Sequence, residues 1–235
     1  MKKYLSILMV IAVLFSFAAC SNNAKSTKTE TTANTTEMQK TENTEASASV
    51  SGKTLVVYFG VPEDVDTNDV DAVAGASIVV KDGEKVDNIQ YVADIIQKNT
   101  GADLFRIEPE TPHTTDHEDL VDLAKEEQNS NARPQIKNSI ENFEQYDTVF
   151  VGYPNWWGDM PQIMYTFFDT YDFTGKTIIP YNTHGGSGFS NTISTIKNLE
   201  PNANVNEDGY TVSRNNVNES ESEIIAWLDD LGYNK

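Results

Sequence analysis

Asp147-Thr-Val-Phe-Val-Gly-Tyr153-Pro154 is short, apolar and β-branched, and a proline closes it. A strand of that composition is buried on both faces, the mark of a parallel sheet covered by helices. Pro161 then opens a helix through Ile163, Met164, Phe167 and Phe168, with proline in the first turn, where its missing N–H costs nothing. The same strand-then-helix grammar extends in both directions. Upstream lie the strands Lys53-Thr-Leu-Val-Val-Tyr-Phe59 and Asp103-Leu-Phe-Arg-Ile107. Their helices span 91–97, stopped by Gly101, and 116–131, with Leu120, Leu123 and Ala124 inward. Downstream come Lys176-Thr-Ile-Ile-Pro-Tyr-Asn182, whose proline predicts an irregularity or an edge, a helix over 190–199, a strand over 209–213 and a closing helix over 219–231. Strand alternating with helix five times predicts an α/β fold, a five-stranded parallel sheet between two helical layers. Ligands of such sheets bind beyond the carboxyl ends of the strands.

Positions 60–87 are too long for a strand-to-helix turn. Ala76 to Val80, Lys81-Asp82-Gly83 and Glu84 to Val86 read as an inserted hairpin after the first strand, turning at Asp-Gly. Ahead of the strands, Met1-Lys2-Lys3 and an uncharged run from Tyr4 to Ala19 have the layout of a secretory signal, shorter than a bilayer span. The run closes on small residues directly before Cys20, the chain's single cysteine, which resembles a bacterial lipobox. The expected organisation is a lipoprotein signal peptide over 1–19, a lipidated Cys20 and polar tether over 20–52, and one domain over 53–235. A lipid-anchored, extracytoplasmic location at a bacterial membrane follows from that reading.

The 183 residues from Lys53 onward carry 12 Lys and Arg against 32 Asp and Glu, a net charge of −20. A field of that sign repels nucleic acid and anionic lipid surfaces and favours a cationic partner. One cysteine excludes an intramolecular disulfide. His113, Asp116 and His117 have a conceivable metal spacing but read as solvated residues where a polar loop enters a helix, so no metal is expected. Asp64-x-Asp66-x-Asn68 begins like a calcium loop and then loses the turn glycine to Asp69.

Two loops carry the chemistry. After the third strand come Gly152-Tyr153-Pro154-Asn155-Trp156-Trp157-Gly158-Asp159-Met160-Pro161. Two adjacent tryptophans cannot both enter the core from an extended loop, so at least one stands in a cleft as a flat apolar plate. After the fourth strand come Thr183-His184-Gly185-Gly186-Ser187-Gly188-Phe189, a glycine-rich run whose backbone N–H groups can meet carbonyl or anionic oxygens. It resembles an esterase oxyanion loop, but a nucleophile elbow requires glycine where Phe189 stands. Together the loops predict a site for a flat aromatic ligand with polar edges.

The element order, Thr54-Leu-Val-Val-Tyr-Phe59 and these two loops resemble the flavodoxin family, in the branch with paired tryptophans. The resemblance implies a three-layer sandwich with strand order 2-1-3-4-5 and non-covalent FMN. It places Pro154, Asn155, Trp156, Trp157, Gly158, Asp159 and Met160 on one side of the isoalloxazine ring. On the other it places Thr183, His184, Gly185, Gly186, Ser187, Gly188 and Phe189, with Gly60 and Asn88 toward the phosphate. No side chain is required as a catalytic acid or base, since the flavin carries the redox chemistry. The implied role is electron transfer to an unidentified redox partner, or reduction of a quinone-like small molecule. The alternative is a flavin-free module for a small aromatic ligand or a basic protein partner. Flavodoxins hold the phosphate in a Ser/Thr-x-Thr-Gly-Asn-Thr turn, whose nearest counterpart here is Asp87-Asn88-Ile89. Asn88 matches, while Asp87 adds a charge and Ile89 removes a hydroxyl. Weak FMN binding, a phosphate held by the inserted hairpin, and a vestigial site all stay open.

Overall fold

A computed structural model describes residues 52–64, 77–81 and 83–233. The signal segment, Cys20, almost all of the tether, most of the calcium-like stretch and Asp82 lie outside the described residues. Strands β1 (Lys53–Tyr58), β4 (Asp103–Arg106), β5 (Tyr146–Pro154), β6 (Thr177–His184), β7 (Asn204–Val205) and β8 (Tyr210–Ser213) form one parallel sheet. Its order is β4-β1-β5-β6, with β7 and β8 both beyond β6. In terms of successive strand positions this is 2-1-3-4-5, with the fifth position split in two. A separate antiparallel pair, β2 (Ile78–Lys81) and β3 (Glu84–Asp87), is the inserted hairpin.

Pro180 explains the split. Carbonyls of the even-numbered β6 residues point toward the outer strands, as Asn206 N donating to Ile178 O and Arg214 N donating to His184 O show. Pro180 therefore withholds its N–H on that side, and pairing lapses between Ile178↔Val205 and Tyr181↔Tyr210. The irregularity expected there is present. The edge position is not, because β6 pairs with β5 on one side and with β7 and β8 on the other.

Helices α1 (Asn88–Thr100) and α5 (Glu221–Asp230) cover one face; α2 (His117–Ser130), α3 (Gln162–Thr170) and α4 (Thr192–Leu199) contribute to the other. The period-2 alternation of the strands decides which side chain meets which layer. Leu55, Val57, Val149, Val151 and Ile178 pack with Leu120, Ile163, Met164, Phe167 and Ile196. Val56, Phe150, Ile179 and Tyr181 pack with Ile89, Val92, Ile96, Ile224 and Leu228. Gly152 belongs to this second face, and a side chain there would strike the ring of Tyr181. That missing side chain lets Tyr181 lie across β5 and donate to Val57 O at 3.1 Å, tying three strands together.

Helix boundaries follow local capping. Asp87 caps α1, Asp116 caps α2 by accepting from Asp119 N at 3.0 Å, and Gly101 ends α1 in the left-handed region at φ 67°. The first helix thus begins directly at the end of the hairpin.

Candidate functional site

Beyond the carboxyl ends of β5 and β6 lies a cleft of about 240 Å³. It is walled by Pro154 to Trp157, Thr183 to Gly185 and one face of α2, with Glu63, Ser77, His117 and Arg214 completing the lining. The tryptophan loop is a two-residue hairpin. Trp156 N donates to Asp159 O at 2.9 Å and Asp159 N to Trp156 O at 3.0 Å, with Trp157 (φ 54°) and Gly158 (φ 79°) as the turn. Positive φ at both central positions defines a type I′ turn, which suits glycine and disfavours tryptophan. The strained residue is also the one left in solvent: Trp157 is 53% exposed. Its Nε1 donates to Val121 O at 3.1 Å, and the Lys125 ammonium lies 5.0 Å from its ring, so the plate leans on α2. Trp156 instead packs edge-on against Phe59 and His113, at centroid distances of 5.7 and 5.8 Å. One tryptophan anchors the loop and the other stands at the cleft.

Asn155 joins this loop to the glycine-rich one. Its Nδ2 donates to Gly188 O at 2.9 Å and Ser190 Oγ at 3.0 Å, and its Oδ1 accepts from Gly158 N at 3.0 Å. The fully buried Asn182 adds a donor to Gly188 O at 3.0 Å. Below, Tyr153 Oη donates to Thr192 Oγ1 at 2.8 Å, which donates to Phe189 O at 2.7 Å. Burial lifts the Tyr153 phenol far above its ordinary range and keeps it a donor. The two loops are therefore one rigid unit seated on β5 and β6.

His184 lines the cleft, and its Nδ1 accepts from Gly186 N at 2.8 Å. Burial lowers its pKa, so the ring is neutral near pH 7 with its proton on Nε2. The guanidinium of Arg214 lies against Gly185. Elsewhere in the lining Glu63, 4% exposed, accepts from His117 Nδ1 at 2.7 Å and from Ser77 N at 3.3 Å.

Of the residues anticipated from sequence, Pro154, Asn155, Trp156, Trp157, Thr183, His184 and Gly185 line the cleft. Gly158, Asp159, Met160, Gly186, Ser187, Gly188 and Phe189 do not. Asp159 accepts from Met160 N and Tyr165 Oη, while Met160 is buried in the core. Gly188 and Phe189 supply the carbonyls that brace the loops. Gly60 and Asn88 lie at the start of α1, where Gly60 faces the Asp87 carboxyl and Asn88 is 1% exposed. Glu63, Ser77, His117, Val121 and Arg214 were not anticipated, because they converge from segments distant in sequence. The solvated reading of His113 is corrected: its side chain is 3% exposed and hydrogen-bonded to Glu127 at 3.1 Å, since the polar loop folds beneath Trp156. The solvated reading suits His117 better, at 45% side-chain exposure, yet that ring is docked on Glu63. Among the described residues, no group of three or more His, Cys, Asp or Glu is placed to hold a metal.

A doubly wound parallel sheet with an aromatic-lined cleft beyond the carboxyl ends of its strands places the chain among the open α/β folds, which bind ligands at that edge. The flavodoxin family model matches residues 83–231, and the chain belongs to the flavodoxin family. Among solved structures, a provisionally assigned flavoprotein from Bacteroides eggerthii is 31% identical, with a TM-score of 0.57. The match covers 76% of this chain and 96% of that one. A second, from Bacteroides uniformis, is 26% identical with a TM-score of 0.53, covering 72% and 96% of the two chains. No curated protein matches.

The residues present fit the two ends of FMN differently. An exposed indole plate, a neutral histidine donor and the backbone at 183–185 suit a flat ring with polar edges. The start of α1 does not suit a phosphate. There the Asp87 carboxyl, 3% exposed, accepts from Ile89 N at 2.9 Å and Gln90 N at 3.3 Å. Burial pushes its pKa from the ordinary 3.8 up to about 7, against the lowering effect of those two backbone bonds.

Proposed function

We propose that this chain binds a flavin non-covalently in the cleft between the 154–157 and 183–185 segments and serves in electron transfer or reduction of a quinone-like small molecule. The observation that carries the reading is Trp157, an exposed indole held at positive φ beside the cleft. A bulky residue keeps such a backbone only when its surroundings enforce it, and such strain concentrates at ligand sites. FMN is the flavin that the family resemblance implies. A bound flavin would supply the redox chemistry; the protein orients the ring, excludes water and sets the polarity at its edge. Trp157 covers one side, His184 Nε2 offers a donor, and Asn155 holds the loops at fixed separation. The charge adds a partner class: a net of −20 over 53–235 favours cationic proteins and accelerates their encounter.

The reading includes location. A signal over 1–19, lipidation at Cys20 and a tether to position 52 would hold a domain of 53–235 outside a bacterial membrane. Asp87 favours a second reading, a flavin-free module for a small aromatic ligand or a basic partner. Reconstitution of the purified full chain with excess flavin, followed by removal of free ligand, separates the two. A stoichiometric yellow protein with flavin absorption bands supports the first reading; a colourless one overturns it.

A further inference from the structure

The N-terminus of a helix is where a ligand's anionic group is normally received, because its first N–H groups lack intrahelical partners and carry the positive end of the dipole. The start of α1 borders the part of the cleft lined by Ser77 and Glu63, and it is already filled. Asn88 N donates to Ser77 O at 2.9 Å. Ile89 N and Gln90 N donate to the Asp87 carboxyl, which is enclosed by the fold. The carboxyl occupies space that exists only because Gly60 has no side chain; a Cβ there would run into it and into Ile89. The chain, not a ligand, supplies the acceptor for these N–H groups.

The same part of the cleft is unsuited to a second anion. Glu63 is buried there and close enough to Asp87 to raise its pKa, while Arg106, the opposing cation, donates to Gly60 O at 3.4 Å. The neighbouring polar group is neutral: the Asn88 amide is 1% exposed, and both its Nδ2 and Oδ1 lack partners. A buried amide with a donor and an acceptor matches hydroxyl groups, which also donate and accept, better than it matches a dianion.

We propose that the cleft takes a flavin without a terminal phosphate, the Asp87 carboxyl standing in the anion position at the start of α1. The proposal rests on the flavin reading above and names its ligand class: a neutral isoalloxazine with an uncharged polyol tail, for which riboflavin is the probe.

The test is titration of the purified full chain with riboflavin and with FMN, followed by quenching of flavin fluorescence. Riboflavin is expected to bind at least about tenfold more tightly, a difference of about 1.4 kcal/mol. In Asp87→Asn, which keeps an acceptor for the two N–H groups and removes the charge, FMN affinity is expected to rise about tenfold. Riboflavin affinity should then change less than about threefold. FMN binding as tightly as riboflavin to the unaltered chain overturns the proposal and leaves the flavin reading intact, with the phosphate held elsewhere, for example by Arg214. Binding of neither flavin overturns both. Should the variant fail to fold, the comparison on the unaltered chain decides alone.

Discussion

Replacing Asp87 with asparagine should make the protein's stability less dependent on pH, and the structure gives the size. In the fold the carboxyl titrates at about 7, against 3.8 for an ordinary aspartate, because burial outweighs two backbone hydrogen bonds and the field of Arg106. Between those values the folded chain keeps a proton that the unfolded chain has lost. Stability contributed by this group is therefore full below about pH 4, falls as pH rises through the window and levels off above about pH 7. Roughly three pH units at about 1.36 kcal/mol each give a loss on the order of 4 kcal/mol. Asparagine cannot ionise, yet its Oδ1 can still accept from Ile89 N and Gln90 N. The assay is urea unfolding of both chains at about pH 4 and about pH 8. The variant's stability relative to the original should rise by several kcal/mol between the two, and titration of other groups cancels in that double difference. A relative stability flat to within about 0.5 kcal/mol, or falling with pH, would refute the assignment of Asp87 as a buried, reluctantly ionised cap.

Trp157→Ala should leave urea stability within about 1 kcal/mol, since the ring is half exposed and its backbone is strained, while flavin affinity measured by fluorescence falls about tenfold or more. Asn155→Ala removes two hydrogen bonds between the loops and one within the tryptophan loop, and should cost about 2 kcal/mol in the same unfolding assay, with weaker flavin binding alongside. Gly152→Ala forces a methyl group into the Tyr181 ring and should lower stability by about 1–3 kcal/mol, through overpacking and strain on the Tyr181 hydroxyl bond to Val57 O.

The fold was legible because its central strands, β1, β5 and β6, are buried on both faces, and such runs stand out against acidic helices. Five alternations of strand and helix admitted few topologies, and Pro180 announced its own irregularity. It could not announce which side of β6 would lack a donor, which depends on the register with β7 and β8. The candidate site was half legible. Adjacent tryptophans and a glycine-rich run are local signals, and both loops meet at one cleft. Glu63, His117 and Arg214 carry no local signal; they are single polar residues brought together by a sheet edge, a helix start and a strand end. His113 misled because a polar, proline-flanked setting suggests solvent, whereas Phe59 and Trp156 cover it. Asp87 was legible as a departure from the family pattern, but only the packing against Gly60 shows what its carboxyl does.

The most direct test is a crystal structure of the protein soaked with riboflavin. The account predicts the isoalloxazine ring in the cleft, within van der Waals contact of Trp157 and with its polar edge toward the backbone of Thr183 to Gly185. Ring density elsewhere on the molecule, or an empty cleft at saturating riboflavin, would contradict it.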